Sequence, residues 1–238
     1  MKTTIKKMGY VVAFAISMGF MEAAVVIYLR AIYYKDGFQF PLRPMDISLA
    51  TAEVFREAAT LVMLICIGYL AGKTKLQRFA YFNLAFAIWD IFYYVFLYIF
   101  LDWPQSLFTW DLLFLIPLPW VGPVWTPCLL CLLMIVGSVF IIAQTEKNNL
   151  YSIKIIHWLI LILGASICIL AFMWDYLRFC SDNNLWIIFS SQVLFSEMRN
   201  YIPQSFNYFL FLTGFALMSY PVILNILLTY KTTCNEKK

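Results

Sequence analysis

Four acidic side chains lie within apolar stretches that are long enough to cross a membrane. They are Glu22, Glu57, Asp90 and Asp175, and Arg56 adds one positive charge beside Glu57. An ionised side chain at the centre of a bilayer costs roughly 2.5–3.5 kcal/mol, so such groups pair, bind a proton or an ion, or line a hydrated cavity. Because one cation does not neutralise four acids, the sequence predicts a pathway for a proton, a cation or a small polar solute.

The spacing of these charges predicts which of them share a helix face. Glu53 and Glu57 are four residues apart and therefore lie on one face, and Arg56 is close enough along the helix to bridge to Glu53. Arg56 and Glu57 point about 100° apart and are expected to meet different neighbours. Tyr94 follows Asp90 by one helical turn and adds a hydroxyl to that face. A polar network that only holds the helices together is the alternative, with contacts worth about 0.6 kcal/mol on average.

The composition of the chain predicts that these charged residues lie on transmembrane helices. The chain has 238 residues, of which 63% are hydrophobic and 13% charged, whereas soluble domains average about 25% charged residues. It is therefore expected to be an all-α polytopic membrane protein, a single domain over residues 1–238 built as a bundle of about six transmembrane helices. The predicted spans are residues 9–30, 49–71, 79–101, 124–143, 155–176 and 206–229.

The distribution of basic residues predicts the orientation of the bundle. Lys and Arg favour cytoplasmic loops, and with the N-terminus inside, 11 of the 17 basic residues fall on the inner side. Both termini are thus predicted to be cytoplasmic, in the plasma (inner) membrane of a prokaryote. Lys6-Lys7 before an apolar run resembles a signal peptide, but the apolar run continues past Glu22 to Leu29, which favours an uncleaved first helix.

Three of the acids are predicted to lie at a similar depth in the membrane. A helix rises 1.5 Å per residue, which places Glu22, Glu57 and Asp90 roughly 10, 13 and 16 Å below the predicted outer ends of their helices. Asp175 is expected near the outer rim. Three spans therefore contribute carboxylates to one layer, which predicts an acidic pocket that opens to the outside.

A proline-rich segment interrupts the pattern after the third span. Residues 103–123 are strongly apolar, yet Pro117 and its neighbouring prolines prevent one continuous helix. We expect a re-entrant or interfacial segment that packs over the outer end of the bundle, with a short helix before Pro117 capped by Thr109 or Asp111. Asp111 and Trp120 would line the outer entrance. The alternative is an interfacial loop anchored by its tryptophans.

Two further features receive weaker interpretations. The loop 177–205 carries apolar residues at roughly helical spacing, which predicts a helix lying in the membrane interface, or alternatively a lid over the pocket. Cys128 and Cys131 form a C-x-x-C pair, but a membrane thiol–disulfide enzyme also needs a second cysteine pair in an outer loop, where only Cys180 is present. The two cysteines are therefore interpreted as small buried hydrophobic residues.

Signatures of other chemistry are missing from the sequence. His157 is the single histidine, so bis-histidine haem, H-E-x-x-H zinc and di-iron sites have no ligands. Nucleotide-binding loops and serine-hydrolase elbows are absent as well. We expect no metal, no cofactor and no nucleic-acid partner; the net charge is only +4, and the lipid bilayer is the expected environment.

Several runs of residues carry a resemblance to a known group. The runs Phe55-Arg-Glu-Ala-Ala-Thr-Leu-Val-Met, Trp89-Asp-Ile-Phe-Tyr-Tyr, Trp103-Pro-Gln-Ser-Leu and Thr109-Trp-Asp-Leu-Leu-Phe-Leu-Ile-Pro resemble a group of polytopic prokaryotic membrane proteins whose activity is uncharacterised. The resemblance covers about residues 50–130. It implies the class of membrane protein and no activity.

The leading hypothesis is a small carrier or permease. Glu22, Glu57 and Asp90 would bind a proton or a cation, and Arg56 would hold an anionic group or tune one acid. The second hypothesis is a membrane-embedded enzyme that acts on a lipid or a quinone, with the same carboxylates as general acid and base. The third is a non-catalytic subunit or assembly factor whose charges pair with a partner chain.

Overall fold

Six long helices make up most of the part of the chain that the structure describes. The computed structural model describes residues 2–34, 37–43, 46–116, 118–148, 150–183, 185 and 200–235. Each of the six helices is long and apolar enough to cross a membrane, which confirms the predicted all-α architecture and its spans. The helices are α1 (Lys2–Tyr33), α2 (Ile47–Ala71), α3 (Lys75–Leu101), α4 (Trp125–Lys147), α5 (Ile155–Asp182) and α6 (Tyr208–Asn235).

Large parts of each helix surface remain available to lipid. At most a third of the most apolar stretch of any span is buried inside the protein. The remainder presents large apolar side chains; Leu70 of α2 and Phe209 of α6 are 78% and 82% exposed. Apolar patches of this extent are typical of a membrane-facing surface. The chain is a multi-pass membrane protein.

Helix α3 is the centre of the larger part of the bundle. Helices α1, α2 and α4 all pack against it, whereas α5 and α6 pack chiefly against each other. Close approach to α3 depends on small residues: a Cβ atom on Gly19 of α1 would lie 2.9 Å from the carbonyl oxygen of Trp89. The core at this junction contains Ala15, Leu84 and Ala85. Helices α1 and α2 each contact α3 but have little contact with each other.

The helices alternate in direction, which gives the bundle two distinct ends. At one end, Lys7 near the start of α1 donates to the carbonyl oxygen of Ala71 at the end of α2, at 2.8 Å. Phe79 and Trp158, near the starts of α3 and α5, meet edge to face there. We call this the terminal end, because α1 begins and α6 ends there. The opposite end carries a β-hairpin and is called the hairpin end.

The hairpin replaces the short helix expected before Pro117. Strands β1 (Trp110–Phe114) and β2 (Trp120–Pro123) pair antiparallel, with Asp111 opposite Gly122. The predicted helix is wrong, and neither Thr109 nor Asp111 caps one. The strand pairing satisfies backbone groups that helix-breaking prolines would otherwise leave open, which matters where water is scarce. Pro117 itself lies outside the described residues.

The second predicted segment at this end is described only in part. Helix α5 continues to Asp182, beyond the expected end of its span at residue 176. Most of the helix predicted within 177–205, including residues 186–199, lies outside the described residues. The described part resumes at residue 200 and leads into α6, within which Pro221 is accommodated.

The crossing of α5 and α6 gives a test of this packing. A Cβ atom on Gly214 would lie 2.7 Å from both the Gly164 carbonyl oxygen and the Cys168 sulfur. We expect Gly214→Ala to push the helices apart and lower stability by about 1–3 kcal/mol, measured as the thermal unfolding midpoint in detergent. Gly137→Ala is the control, since its nearest neighbours are Val222 methyl groups at 3.7 Å. Equal effects of the two substitutions would contradict the close crossing.

Candidate functional site

Three of the predicted acids lie at a similar depth in the bundle. Glu22 and Asp90 are eleven residues before the ends of α1 and α3, and Glu57 is ten residues after the start of α2. All three are thus about 15–17 Å along their helices from the hairpin end. The three side chains therefore lie well inside the bundle, away from both ends of their helices.

Arg56 forms ion pairs with two carboxylates on different helices. Its Nη1 donates to Glu22 of α1, and its Nε donates to Oε2 of Glu53 at 2.9 Å, with Nη2 at 2.8 Å from the same oxygen. The Glu53 pair lies within α2, as its spacing predicts. The Glu22 pair crosses from α2 to α1, two helices that otherwise barely touch. The guanidinium therefore bridges them.

Glu57 has a different partner, as its direction on the helix predicts. Its Oε2 accepts the backbone N–H of Leu115 at 3.0 Å, directly after strand β1. Glu57 is only 7% exposed. Because Glu57 is about 15 Å from the hairpin end of α2, this contact shows that the hairpin reaches down to the level of the acids. The backbone at Leu115 therefore lies against α2.

Asp90 contacts α4 and stands apart from any cation. Its Oδ2 lies 3.2 Å from the Cys131 sulfur, whose thiol donates to it. Asp90 is also within electrostatic range of Glu22 and Asp111, both of them acids. Among the described residues, neither Asp90 nor Glu57 lies within ion-pair distance of a basic side chain.

Asp111 belongs to a second charged group near the hairpin end. Its Oδ1 lies 3.8 Å from Arg30 Nη2, and its Oδ2 accepts the Tyr94 hydroxyl at 3.2 Å. Tyr94 thus bonds to Asp111 and not to Asp90. Asp111 is buried, and its carboxyl and the Arg30 guanidinium form a pair of opposite charges in the interior.

A cleft opens beside this second group. Its volume is about 750 Å³, and its walls come from the end of α1, from residues 37–39 and from residues 101–105. Arg30 and Trp103 line it, whereas the acids at mid-depth do not. Trp120, expected at the entrance, is not in its walls either; its ring stacks on Phe172 of α5, with centroids 6.1 Å apart and planes 6° apart.

Asp175 lies in a different part of the bundle and has a structural role. Its Oδ2 accepts the Tyr201 hydroxyl at 2.8 Å and the Gln204 N–H at 3.0 Å, and its Oδ1 accepts the Ser205 N–H at 3.1 Å. These bonds fix the segment that leads into α6. The structure does not bring Asp175 into contact with the other predicted acids.

Two side chains in these groups were missed by sequence reasoning. Arg30 pairs with Asp111, and a signal for this was present: both were predicted near the same membrane surface, with opposite charges. Cys131 was interpreted as a buried hydrophobic residue, and the thiol that reaches Asp90 has no signature in the sequence. Among the described residues, no group of three or more His, Cys, Asp or Glu side chains is arranged to hold a metal ion.

Comparison with known proteins adds no name to this arrangement. No family model, no curated protein and no solved structure matches the chain.

The role of Asp175 can be tested by stability. We expect Asp175→Asn to lower the free energy of unfolding by about 1–3 kcal/mol, because one of its acceptor oxygens becomes an amide group that faces donors. Asp182→Asn is the matched control on α5, since the Asp182 side chain is 70% exposed. The measurement is the thermal midpoint of both variants in detergent. An Asp175→Asn variant as stable as the control would refute the structural role.

Proposed function

We propose that this protein is a small carrier that binds a proton, a cation or a small polar solute at the carboxylates of Glu22, Glu57 and Asp90. In the proposed orientation it lies in the plasma membrane, with both termini in the cytoplasm and the hairpin end facing outside. The observation that carries the proposal is the excess of acids over cations at mid-depth in the bundle.

The charges at this level do not balance. Four acids from α2, α1 and α3 share a single guanidinium, that of Arg56. Two of them, Glu22 and Glu53, are paired with it. Within the described ranges, the partners of Glu57 and Asp90 are hydrogen-bond donors, from Leu115 and Cys131, and not basic side chains. Full ionisation would leave three uncompensated negative charges in a region where each costs roughly 2.5–3.5 kcal/mol.

Binding of a proton or a small cation is the simplest way to remove this unfavourable free energy. Protonation neutralises a carboxyl without any further ligand, and burial among like charges favours it. A cation bound between the acids would have the same effect. Either species would bind from a hydrated path, since the transfer of an ion through lipid is far more costly. Reversible binding of a proton or a cation is typical of the ion-binding site of a carrier, and a structural core without access to water does not provide it.

The bridge made by Arg56 offers a way to couple binding to movement. Arg56 is tied to Glu53 within its own helix and to Glu22 across to α1. A proton on Glu22 would remove the charge that holds α1 to α2, while Glu53 would retain the guanidinium. Because α1 and α2 have little other contact, the loss of that pair would free them to shift on α3.

The hairpin supports the same interpretation. It brings non-helical backbone to the depth of the acids, where the Leu115 N–H meets Glu57. Non-helical segments at mid-membrane survive only within protein or beside a hydrated cavity, and carriers use interrupted segments to form binding sites.

The proposal is tested by flux through reconstituted protein. Purified protein is placed in liposomes that contain a pH-sensitive dye, and a proton, sodium or potassium gradient is imposed. We expect wild-type protein to dissipate at least one gradient and Asp90→Asn to lose at least about tenfold of that rate, because the amide does not take up a proton or pair with a cation.

Two variants serve as controls for this assay. Asp182→Asn removes an exposed acid on α5 and should retain wild-type flux. Cys131→Ser keeps a donor for Asp90 and should retain most of it. Wild-type protein without flux under all three gradients, or an Asp90→Asn variant as active as wild type, would overturn the carrier assignment.

A further inference from the structure

Arg30 is a buried cation, and its Nε donor has no hydrogen-bond partner among the described residues. The residue is 7% exposed. The Asp111 oxygen at 3.8 Å from Nη2 is close enough for an ion pair but too distant for a hydrogen bond. A guanidinium carries five N–H donors, and leaving them unsatisfied in a buried position is unfavourable.

Aromatic rings fix the direction in which this guanidinium can bind. Its central carbon lies 3.8 Å from the centroid of the Trp103 ring and 4.5 Å from that of Phe38. Contacts of this kind use the faces of the planar group. The N–H donors at its edge are left for a ligand, and that edge matches the two oxygens of a carboxylate or a phosphodiester.

The cleft beside Arg30 has room for a ligand of moderate size. Its volume of about 750 Å³ lies within the range of roughly 300–1,000 Å³ that is common for small-molecule sites. Its walls combine apolar and aromatic side chains with the polar Gln39 and Gln105, and one exposed acid, Asp102, lies at the wall as well. Apolar walls around one buried cation suit a molecule that has an apolar body and a single charged end.

We propose that this cleft binds a singly charged oxyanion attached to an apolar body, with the edge of the Arg30 guanidinium as the recognition group. Asp111 limits the charge, since its carboxylate next to Arg30 would repel a dianion. The oxyanion is either the carboxylate of a dissolved organic acid or the phosphodiester of a lipid headgroup. The cleft is separate from the acids at mid-depth, so the inference goes beyond the proposed carrier function.

The test uses the full-length protein and two probes. Benzoate represents the dissolved acid, and its binding in detergent is measured by isothermal titration calorimetry. Phosphatidylglycerol represents the lipid: protein is incorporated in nanodiscs with equal amounts of phosphatidylglycerol and phosphatidylcholine, and retained lipid is identified by native mass spectrometry. The two lipids share the phosphodiester, but only phosphatidylglycerol has a net negative charge.

Two variants and their matched controls locate the binding. Arg30→Gln removes the cation, and Arg178→Gln removes an arginine on α5 whose side chain is 69% exposed. Ala31→Phe fills the cleft without altering Arg30, and Ile32→Phe places the same ring on an exposed position that does not line it. If Arg30→Gln fails to fold, the comparison of Ala31→Phe with Ile32→Phe decides the result.

The outcomes separate the sources of the ligand and the possible failures. Benzoate binding to wild type that weakens at least about tenfold in Arg30→Gln and in Ala31→Phe, but not in the controls, supports a dissolved acid. Preferential retention of phosphatidylglycerol that is lost in the same two variants supports a lipid headgroup. Absence of both kinds of binding, or binding that is equal in all variants, overturns the proposal. The carrier function is judged separately, since Asp90→Asn should bind these probes like wild type.

Discussion

The structure depends on one guanidinium that is shared between two helices. Helices α1 and α2 are both packed on α3, yet they have little contact with each other, and Arg56 connects them through Glu22 while remaining paired with Glu53 on its own helix. A half-buried guanidinium among apolar helices is stabilised by partners on both sides. Arg56 therefore ties α1 to α2, and among the described residues Glu57 and Asp90 have no basic side chain within ion-pair distance.

The hairpin is the second constraint on the site. Its backbone needs hydrogen-bond partners at a depth where water is scarce, and it finds them in its own strand pairing and in the carboxyl of Glu57. The same segment supplies Asp111, which reaches Arg30 at the end of α1. Glu57 and Asp111 thus have different partners, a backbone N–H of the hairpin segment and the Arg30 guanidinium.

Hydropathy was sufficient to predict the six helices because each one has a long, predominantly apolar run that a few charged residues do not mask. The internal pair of Glu53 and Arg56 was also predictable, since helical spacing determines it. Contacts between distant segments were not. Asp175 forms hydrogen bonds with residues 201–205, about 30 residues further along the chain. The hydrophobic periodicity of the two segments does not predict this contact. The strand at 110–114 was missed because a short apolar run has the same appearance in a helix and in a strand.

The most direct test of the Arg56 bridge between α1 and α2 is a double-mutant cycle between Arg56 and Glu22. Stability is measured by unfolding in mixed detergent micelles. Glu22→Gln, Arg56→Gln and the double variant are compared with wild type. If the guanidinium bridges α1 and α2, each single substitution destabilises the protein, and the double variant loses less than the sum, with a coupling energy of about 0.5–3 kcal/mol. Additive losses, with no coupling between the two positions, would contradict the bridge and the arrangement of acids that it defines.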